Sequence, residues 1–149
     1  MTTPLRNRDV TVLVIAAAGS TGLTPVQLMK SVFLISKTGL SDLPSNFYPF
    51  FAYNYGPFHP DVYRDVEMLV SEGLVYEDRP AERSWSKYVI TTTGTEYAHD
   101  LKRRISPEFS KYLDEVVAWV KSLTFNQLLR AIYAKYPEMR ENSVFQEIK

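Results

Sequence analysis

The chain has no cysteine among its 149 residues. It therefore holds neither disulfides nor thiolate metal ligands, and this composition fits a reducing compartment such as the cytoplasm, where we expect the protein. An excess of charge of one sign is also lacking, because 17 Lys and Arg balance 17 Asp and Glu. Dedicated nucleic-acid binders usually carry a basic excess, so this balance argues against strong electrostatic binding of DNA, although a neutral protein can still carry a local basic patch.

Histidine is scarce, with only His59 and His99 in the chain. We find no His and Glu set with metal-ligand spacing, no phosphate-binding glycine loop and no G-x-S-x-G nucleophile motif. Asp61 and Asp65 would share a helix face, but a solvated acidic face explains such a pair more often than a catalytic role. We therefore predict no enzyme activity, no catalytic residue, no cofactor and no metal site.

Long hydrophobic runs are missing as well. The apolar run at residues 10–18 is too short to span a membrane, so we expect no membrane association. Arg6 and Arg8 precede this run, an arrangement that resembles a short signal peptide. A buried first helix, residues 6–18, is the interpretation we favour, since Asp9 directly abuts the apolar residues.

Residues 47–77 organise the rest of the chain. An aromatic approach leads to a Tyr-Gly-Pro turn at residues 55–57, then to an amphipathic helix at residues 60–71 and a strand at residues 74–77. One helical face collects four apolar residues, Val62, Val66, Leu69 and Val70. Gly73 stands where a left-handed residue usually ends a helix. A second strand is predicted at residues 86–91.

Helices also flank this stretch. Thr24 and Gln27 form a capping box before a second helix that reaches about residue 37, and residues 93–96 form another box before a helix that ends near residue 105. Two more helices follow from Pro107 and Thr124. The predicted class is α+β, mostly helical: a winged helix-turn-helix with an aromatic insertion and two extra C-terminal helices. We expect a winged-helix domain at residues 1–105 and a helical extension at 106–149, either packed on it or forming a dimer interface.

The aromatic insertion separates the second and third helices. It holds seven aromatic residues, Phe47, Tyr48, Phe50, Phe51, Tyr53, Tyr55 and Phe58. Such residues either pack on the core or form a binding surface, and packing is favoured because exposed aromatics are costly. If the segment binds a partner protein, the candidate residues are Phe51, Tyr53, Tyr55 and Phe58.

The loop between the two predicted strands, residues 78–85, is the candidate wing. Arg79, Arg83 and Lys87 make it basic enough to contact a DNA backbone, and a solvated hairpin tip is an equally good explanation. On the preceding helix, only Arg64 and Tyr63 are plausible base contacts. Four acids that phosphates would repel lie between residues 61 and 72: Asp61, Asp65 and Glu67 on the outward face of that helix, and Glu72 just after it.

Two stretches carry a family resemblance. TPVQLMKSVFL at residues 24–34, followed by YNYGPF at 53–58, resembles the "LQKLLFL … YGPYS" pattern of Panacea-type antitoxins and related uncharacterised phage- or defence-associated winged-helix proteins. ITTTG at residues 90–94 is similar to the "LTxxG" that follows the wing in MarR- and PadR-type regulators. The family has Ser where this chain has His59. The resemblance implies a prokaryotic or phage cytosolic protein that acts by binding.

Two functional hypotheses follow. The first is a winged-helix transcriptional regulator that binds duplex DNA as a homodimer, and it is preferred because this fold most often has that role. The second is a protein-interaction module, such as an antitoxin-like adapter or a defence-system accessory, that does not bind DNA directly. Zero net charge, the acidic helix face and the aromatic insertion favour the second hypothesis.

Overall fold

The computed structural model of the chain describes residues 5–79, 81 and 85–144. These residues form an α+β fold that is mostly helical, as predicted, and the winged helix-turn-helix arrangement stays a prediction. Two small antiparallel sheets, each of two strands, accompany the helices. The elements are α1 Asn7–Ala17, α2 Pro25–Ser36, β1 Phe51–Tyr53, β2 Gly56–Phe58, α3 Pro60–Ser71, β3 Val75–Asp78, β4 Lys87–Ile90, α4 Thr92–Lys102, α5 Pro107–Ser122 and α6 Phe125–Lys135.

Helix α1 lies at the centre of the fold and packs against α2, α3, α4 and α5. Its apolar residues are buried almost completely, as the sequence predicted. Burial of each such side chain contributes about 1.5–3 kcal/mol, so this helix anchors the core. Asp9 is buried too, and its carboxylate accepts hydrogen bonds from the Arg6 backbone N–H and the Tyr97 hydroxyl, each 2.8 Å long. These partners offset the cost of taking the carboxylate out of water.

Polar caps set where the helices begin. The Thr24 hydroxyl accepts a hydrogen bond from the Gln27 backbone N–H at 3.2 Å, and the Gln27 side-chain oxygen accepts one from the Thr24 backbone N–H at 2.9 Å, which confirms the predicted capping box of α2. The predicted box at residues 93–96 is wrong. The cap of α4 is Thr91, whose hydroxyl oxygen accepts from the Gly94 backbone N–H at 2.9 Å. Helix α4 starts earlier than expected because Gly94 belongs to its first turn, packed against Leu74 and Ile90.

Helix α3 has the predicted bounds, but one face residue was assigned wrongly. Val62, Val66 and Leu69 are buried against the core, whereas Val70 is 40% exposed. On a helical wheel Val70 lies about 80° from Val62, at the margin of the face that α1 covers. Gly73, two residues after the end of the helix, has the predicted left-handed conformation with φ +76°.

The aromatic insertion folds as a β-hairpin. Strands β1 and β2 pair in antiparallel register, with Phe51 opposite Phe58, Ala52 opposite Pro57 and Tyr53 opposite Gly56. The turn therefore lies at residues 54 and 55, so the predicted turn at 55–57 is misplaced. Gly56, with φ +90°, and Pro57 are strand residues.

Strands β3 and β4 form the second sheet, with Val75 opposite Ile90 and Asp78 opposite Lys87. Backbone hydrogen bonds between Leu23 and Tyr88, 3.0 and 2.7 Å long, fix β4 to the start of α2.

At the other end of the chain, α5 packs on α1 and α2, and α6 packs on β2. No helix within the described ranges has the length and apolarity needed to cross a membrane.

Candidate functional site: the aromatic hairpin

One face of the hairpin presents three aromatic rings. Phe51 and Tyr53 alternate along β1 and therefore point to the same side, and Phe58 of β2 joins them. The Tyr53 ring stacks on Phe58 with centroids 4.9 Å apart, while Phe51 meets Phe58 edge-on at 5.9 Å. Phe51 and Tyr53 remain 44% and 46% exposed. We call these three residues the aromatic face.

The opposite side of the hairpin is anchored in the core. The Lys30 side chain of α2 is buried, and its Nζ donates to the Pro57 carbonyl at 3.0 Å. Burial lowers the pKa of Lys30 to about 8. A Cβ placed on Gly56 would lie 3.3 Å from the Tyr133 ring, which shows how closely α6 approaches β2. The hairpin is therefore a fixed support for the aromatic face.

The aromatic insertion divides between core and surface. Upstream of the hairpin, Tyr48 is buried and its hydroxyl donates to Asp65 while lying 2.9 Å from the Thr11 hydroxyl. Burial and the Asp65 hydrogen bond raise the pKa of Tyr48. Phe50 packs edge-on against Phe33 with centroids 5.5 Å apart. The first part of the insertion thus packs on the core, as the favoured interpretation predicted. The rings of the hairpin, in contrast, are exposed.

Tyr55 lies apart from the aromatic face. It sits at the hairpin turn, is 46% exposed, and its ring centroid lies 5.6 Å from that of Phe125 at the start of α6. Phe125 also lines a cavity of about 330 Å³ together with Trp85 and Lys87. No local sequence pattern connects Phe125 with Tyr55, 70 positions earlier in the chain, so Phe125 could not be recognised from the sequence.

The base-contact candidates on α3 are engaged within the protein. The Arg64 guanidinium pairs with Asp61 at 3.1 Å. The Tyr63 hydroxyl donates to the Pro25 carbonyl at 3.0 Å, and burial raises the pKa of this phenol. Tyr63 therefore ties α3 to α2 and does not present its hydroxyl to the surface.

The candidate wing residues show a similar pairing. Arg79 contacts both carboxylate oxygens of Glu77, each at 3.0 Å. Lys87 is half-buried and lines the cavity beside Trp85, whereas Arg64 lines a different one. Arg83 lies outside the described residues. Among the described candidates for DNA contact, Arg64 and Lys87 thus lie at separate cavities.

The cavity next to Arg64 is polar and carries mixed charge. It measures about 480 Å³ and is lined by Arg6, Arg8, Arg64, Asp61 and Asp65 among others. Arg8 also forms a paired salt bridge with Glu72, and this hydrogen-bonded contact lowers the pKa of the Glu72 carboxyl. Three of the four α3 acids therefore have partners inside the protein: Asp61 with Arg64, Asp65 with Tyr48 and Glu72 with Arg8.

An apolar cavity of about 310 Å³ lies between α2, α5 and α6, beside the exposed Trp119. It occupies the C-terminal extension, where a dimer interface was one of the two expectations, and the homodimer stays a prediction. Within the described ranges, no group of three or more Asp, Glu or His side chains is arranged to hold a metal ion. The absence of enzyme activity likewise stays a prediction.

Comparisons with known proteins found no matching family model, no similar curated protein and no similar solved structure. The resemblance to Panacea-type antitoxins and to MarR- and PadR-type regulators therefore stays a prediction based on residues 24–34, 53–58 and 90–94.

Proposed function

We propose that this chain is a protein-interaction module that presents the aromatic face of its β1–β2 hairpin to a partner protein. The observation that carries this proposal is the half-exposure of Phe51 and Tyr53 on a hairpin whose other side is anchored in the core. Aromatic side chains supply much of the binding energy at protein interfaces, and they are enriched there relative to other surfaces. An antitoxin-like adapter or a defence-system accessory would act in this way.

The charge distribution supports a protein partner. Net charge is zero, and Arg64 and Arg79 each already pair with a carboxylate. A DNA duplex carries a dense negative charge and attracts cations that have no carboxylate partner of their own. The core of a protein interface, in contrast, is typically depleted of charge. The aromatic face therefore suits a partner with an apolar surface better than it suits phosphate.

We further propose a winged-helix-like framework for this module. The order of α2, α3, β3 and β4 supports it, with the 79–86 connection in the place of a wing. The lack of cysteine supports a cytoplasmic location.

The decisive experiment compares the unaltered chain with the double variant Phe51→Ser/Tyr53→Ser. Each is used as bait in quantitative pull-downs from a lysate of the cells that produce the protein. A protein captured by the unaltered chain should be lost from the double variant, and the complex should re-form from the two purified proteins. Tyr76→Ser is the matched control, because Tyr76 is an equally exposed aromatic residue on β3. If both variants retain the same partners, the aromatic face is not the interaction surface.

A DNA-binding regulator is the second candidate, favoured by the solvent exposure of the Arg64 and Arg79 guanidiniums next to the α3–β3–β4 unit. Its test is fluorescence polarisation with a random duplex of about 30 base pairs at low salt, where electrostatic affinity is greatest. Binding that weakens with salt and with Arg79→Ala/Lys87→Ala, but not with Phe51→Ser/Tyr53→Ser, would favour this function. No binding at low salt would exclude it.

A further inference from the structure

The cavity beside Trp85 combines apolar walls with a single charged side chain. It has a volume of about 330 Å³. The Trp85 and Phe125 rings line it and remain 52% and 41% exposed. The apolar lining is completed by Val26, Leu123 and Leu128. Pockets for small ligands begin at about this size and are mostly apolar with a few polar groups, so the cavity suits a small, flat, largely apolar molecule.

Lys87 gives this cavity its charge. The residue is half-buried and lines the cavity, and none of the other described residues that line it is charged. Asp78 lies opposite Lys87 in the strand register but does not line the cavity. Within the described part of the chain, the Lys87 ammonium has no hydrogen-bond or ion-pair partner. Because a charge that is partly withdrawn from water needs an opposite charge nearby, the cavity favours an anion.

A second lysine adds to the positive charge. Lys121, near the end of α5, donates to the Ala18 carbonyl at 3.3 Å and also to the Thr21 hydroxyl. Burial, and then the positive charge of Lys87, lower the pKa of Lys121. The two ammonium groups are therefore close enough to repel each other, and an anion bound to Lys87 would relieve this repulsion.

Two helices also begin at this cavity. Thr24, the cap of α2, lines it together with Phe125, the first residue of α6. The N-terminus of a helix carries a partial positive charge. Both helix dipoles therefore act in the same direction as Lys87 and favour a negative charge in the cavity.

We propose that this cavity binds a small aromatic anion, a flat ring system that carries one carboxylate group. The ring lies against Trp85 and Phe125, and the carboxylate accepts a hydrogen bond from the Lys87 ammonium. Charge-assisted hydrogen bonds are about twice as strong as neutral ones, so the site selects anions over neutral molecules of the same shape. The cavity is separate from the aromatic face and binds its ligand whether or not that face binds a partner.

The test compares two naphthalene probes of the same shape on the full chain. 2-Naphthoate carries a negative charge, and 2-naphthamide is its neutral counterpart. The chain has two tryptophans, Trp85 and Trp119, whose indole N–H groups give separate signals in proton–nitrogen NMR spectra. 2-Naphthoate should shift the Trp85 signal saturably with a Kd below about 1 mM and leave the Trp119 signal unchanged. It should bind at least about fivefold more tightly than 2-naphthamide.

Variants of Lys87 test the source of this preference. Lys87→Met should bind both probes with similar affinity, because it keeps an apolar side chain and loses the charge. Lys87→Arg should retain the preference for 2-naphthoate. Lys102→Met is the matched control, since Lys102 is exposed at the end of α4, and it should bind both probes as the unaltered chain does.

Four results would overturn the inference. On the unaltered chain these are no binding of 2-naphthoate at millimolar concentration, equal affinity for the two probes, or a shift of the Trp119 signal in place of the Trp85 signal. The fourth is a preference for 2-naphthoate that survives Lys87→Met in a chain whose fold is intact by circular dichroism, because a different cation would then hold the anion.

Discussion

The Nζ atom of Lys30 lies 3.0 Å from the carbonyl oxygen of Pro57. This contact joins the middle of α2 to β2, and Lys30 is only 3% exposed. A buried ammonium with one carbonyl acceptor is held at a cost, because desolvation disfavours its charge. The hairpin that carries the aromatic face is thus anchored by a buried ammonium group whose charge is disfavoured by desolvation.

Lys30 should make stability depend on alkaline pH. Its pKa falls from 10.5 to about 8 in the folded chain, so between these values the unfolded chain binds more protons. The free energy of unfolding therefore rises with pH in this window, by about 2 kcal/mol between about pH 7.5 and pH 9.5. Urea unfolding of the unaltered chain and Lys30→Met, compared at each pH, should isolate this rise.

The comparison with Lys30→Met matters, because burial raises the pKa values of Tyr48 and Tyr63 in both proteins. Lys102→Met is the control, since Lys102 is exposed at the end of α4. It should show the same pH dependence as the unaltered chain. Parallel curves for Lys30→Met and the unaltered chain would mean that the buried amine keeps an ordinary pKa.

Gly94 should not tolerate a methyl group. A Cβ at this position would fall on the Leu74 carbonyl oxygen and lie 2.7 Å from Cδ1 of Ile90. Because the main obstacle is backbone, α4 and β3 must separate, and Gly94→Ala should cost about 2–3 kcal/mol. Thermal or urea unfolding measures this, with Glu96→Ala, exposed on the same helix, expected within about 0.5 kcal/mol of the unaltered chain.

Tyr48→Phe tests the buried hydroxyl between α1 and α3. The change leaves the buried Thr11 hydroxyl and the Asp65 carboxylate without the phenol that they share. We expect a loss of about 1–3 kcal/mol in the free energy of unfolding. Tyr53→Phe removes an exposed hydroxyl and should be nearly neutral in the same denaturant titration. A neutral Tyr48→Phe would show that the hydroxyl bridge adds no stability.

The aromatic face should be separable from the core. Phe51→Ser/Tyr53→Ser removes two half-exposed rings and should lower the free energy of unfolding by less than about 1.5 kcal/mol per ring, because each ring is only about half buried. Phe33→Ala, at a fully buried position on α2, should cost about 3–5 kcal/mol. Equal losses in urea unfolding would place the two hairpin rings in the core and remove the basis of the proposed function.

Local sequence signals were sufficient for most of the helices. The capping box at Thr24, the helix start at Thr124 and the left-handed Gly73 depend on a few neighbouring residues, so pattern and propensity locate them. The cap at Thr91 was missed because three threonines in succession, residues 91–93, offer equivalent local starts, and the contact of Gly94 with Leu74 selects among them. The β1–β2 hairpin was missed because three-residue strands give too short an alternation to recognise.

The sequence by itself determined the mostly helical class, the buried first helix and the aromatic content of the insertion, since these depend on periodicity and composition. Only the tertiary structure decided which aromatic residues are buried and which are exposed, because burial depends on which residues, distant in the sequence, pack against each ring. The Tyr48 side chain is buried and its hydroxyl contacts Thr11 and Asp65, whereas Phe51 and Tyr53 stay half-exposed beside Phe58, with His59 also next to Phe51. The pairing of the Arg64 and Arg79 cations and the hydrogen bonds from Asn142 and Val144 to the hairpin are likewise set by three-dimensional contact.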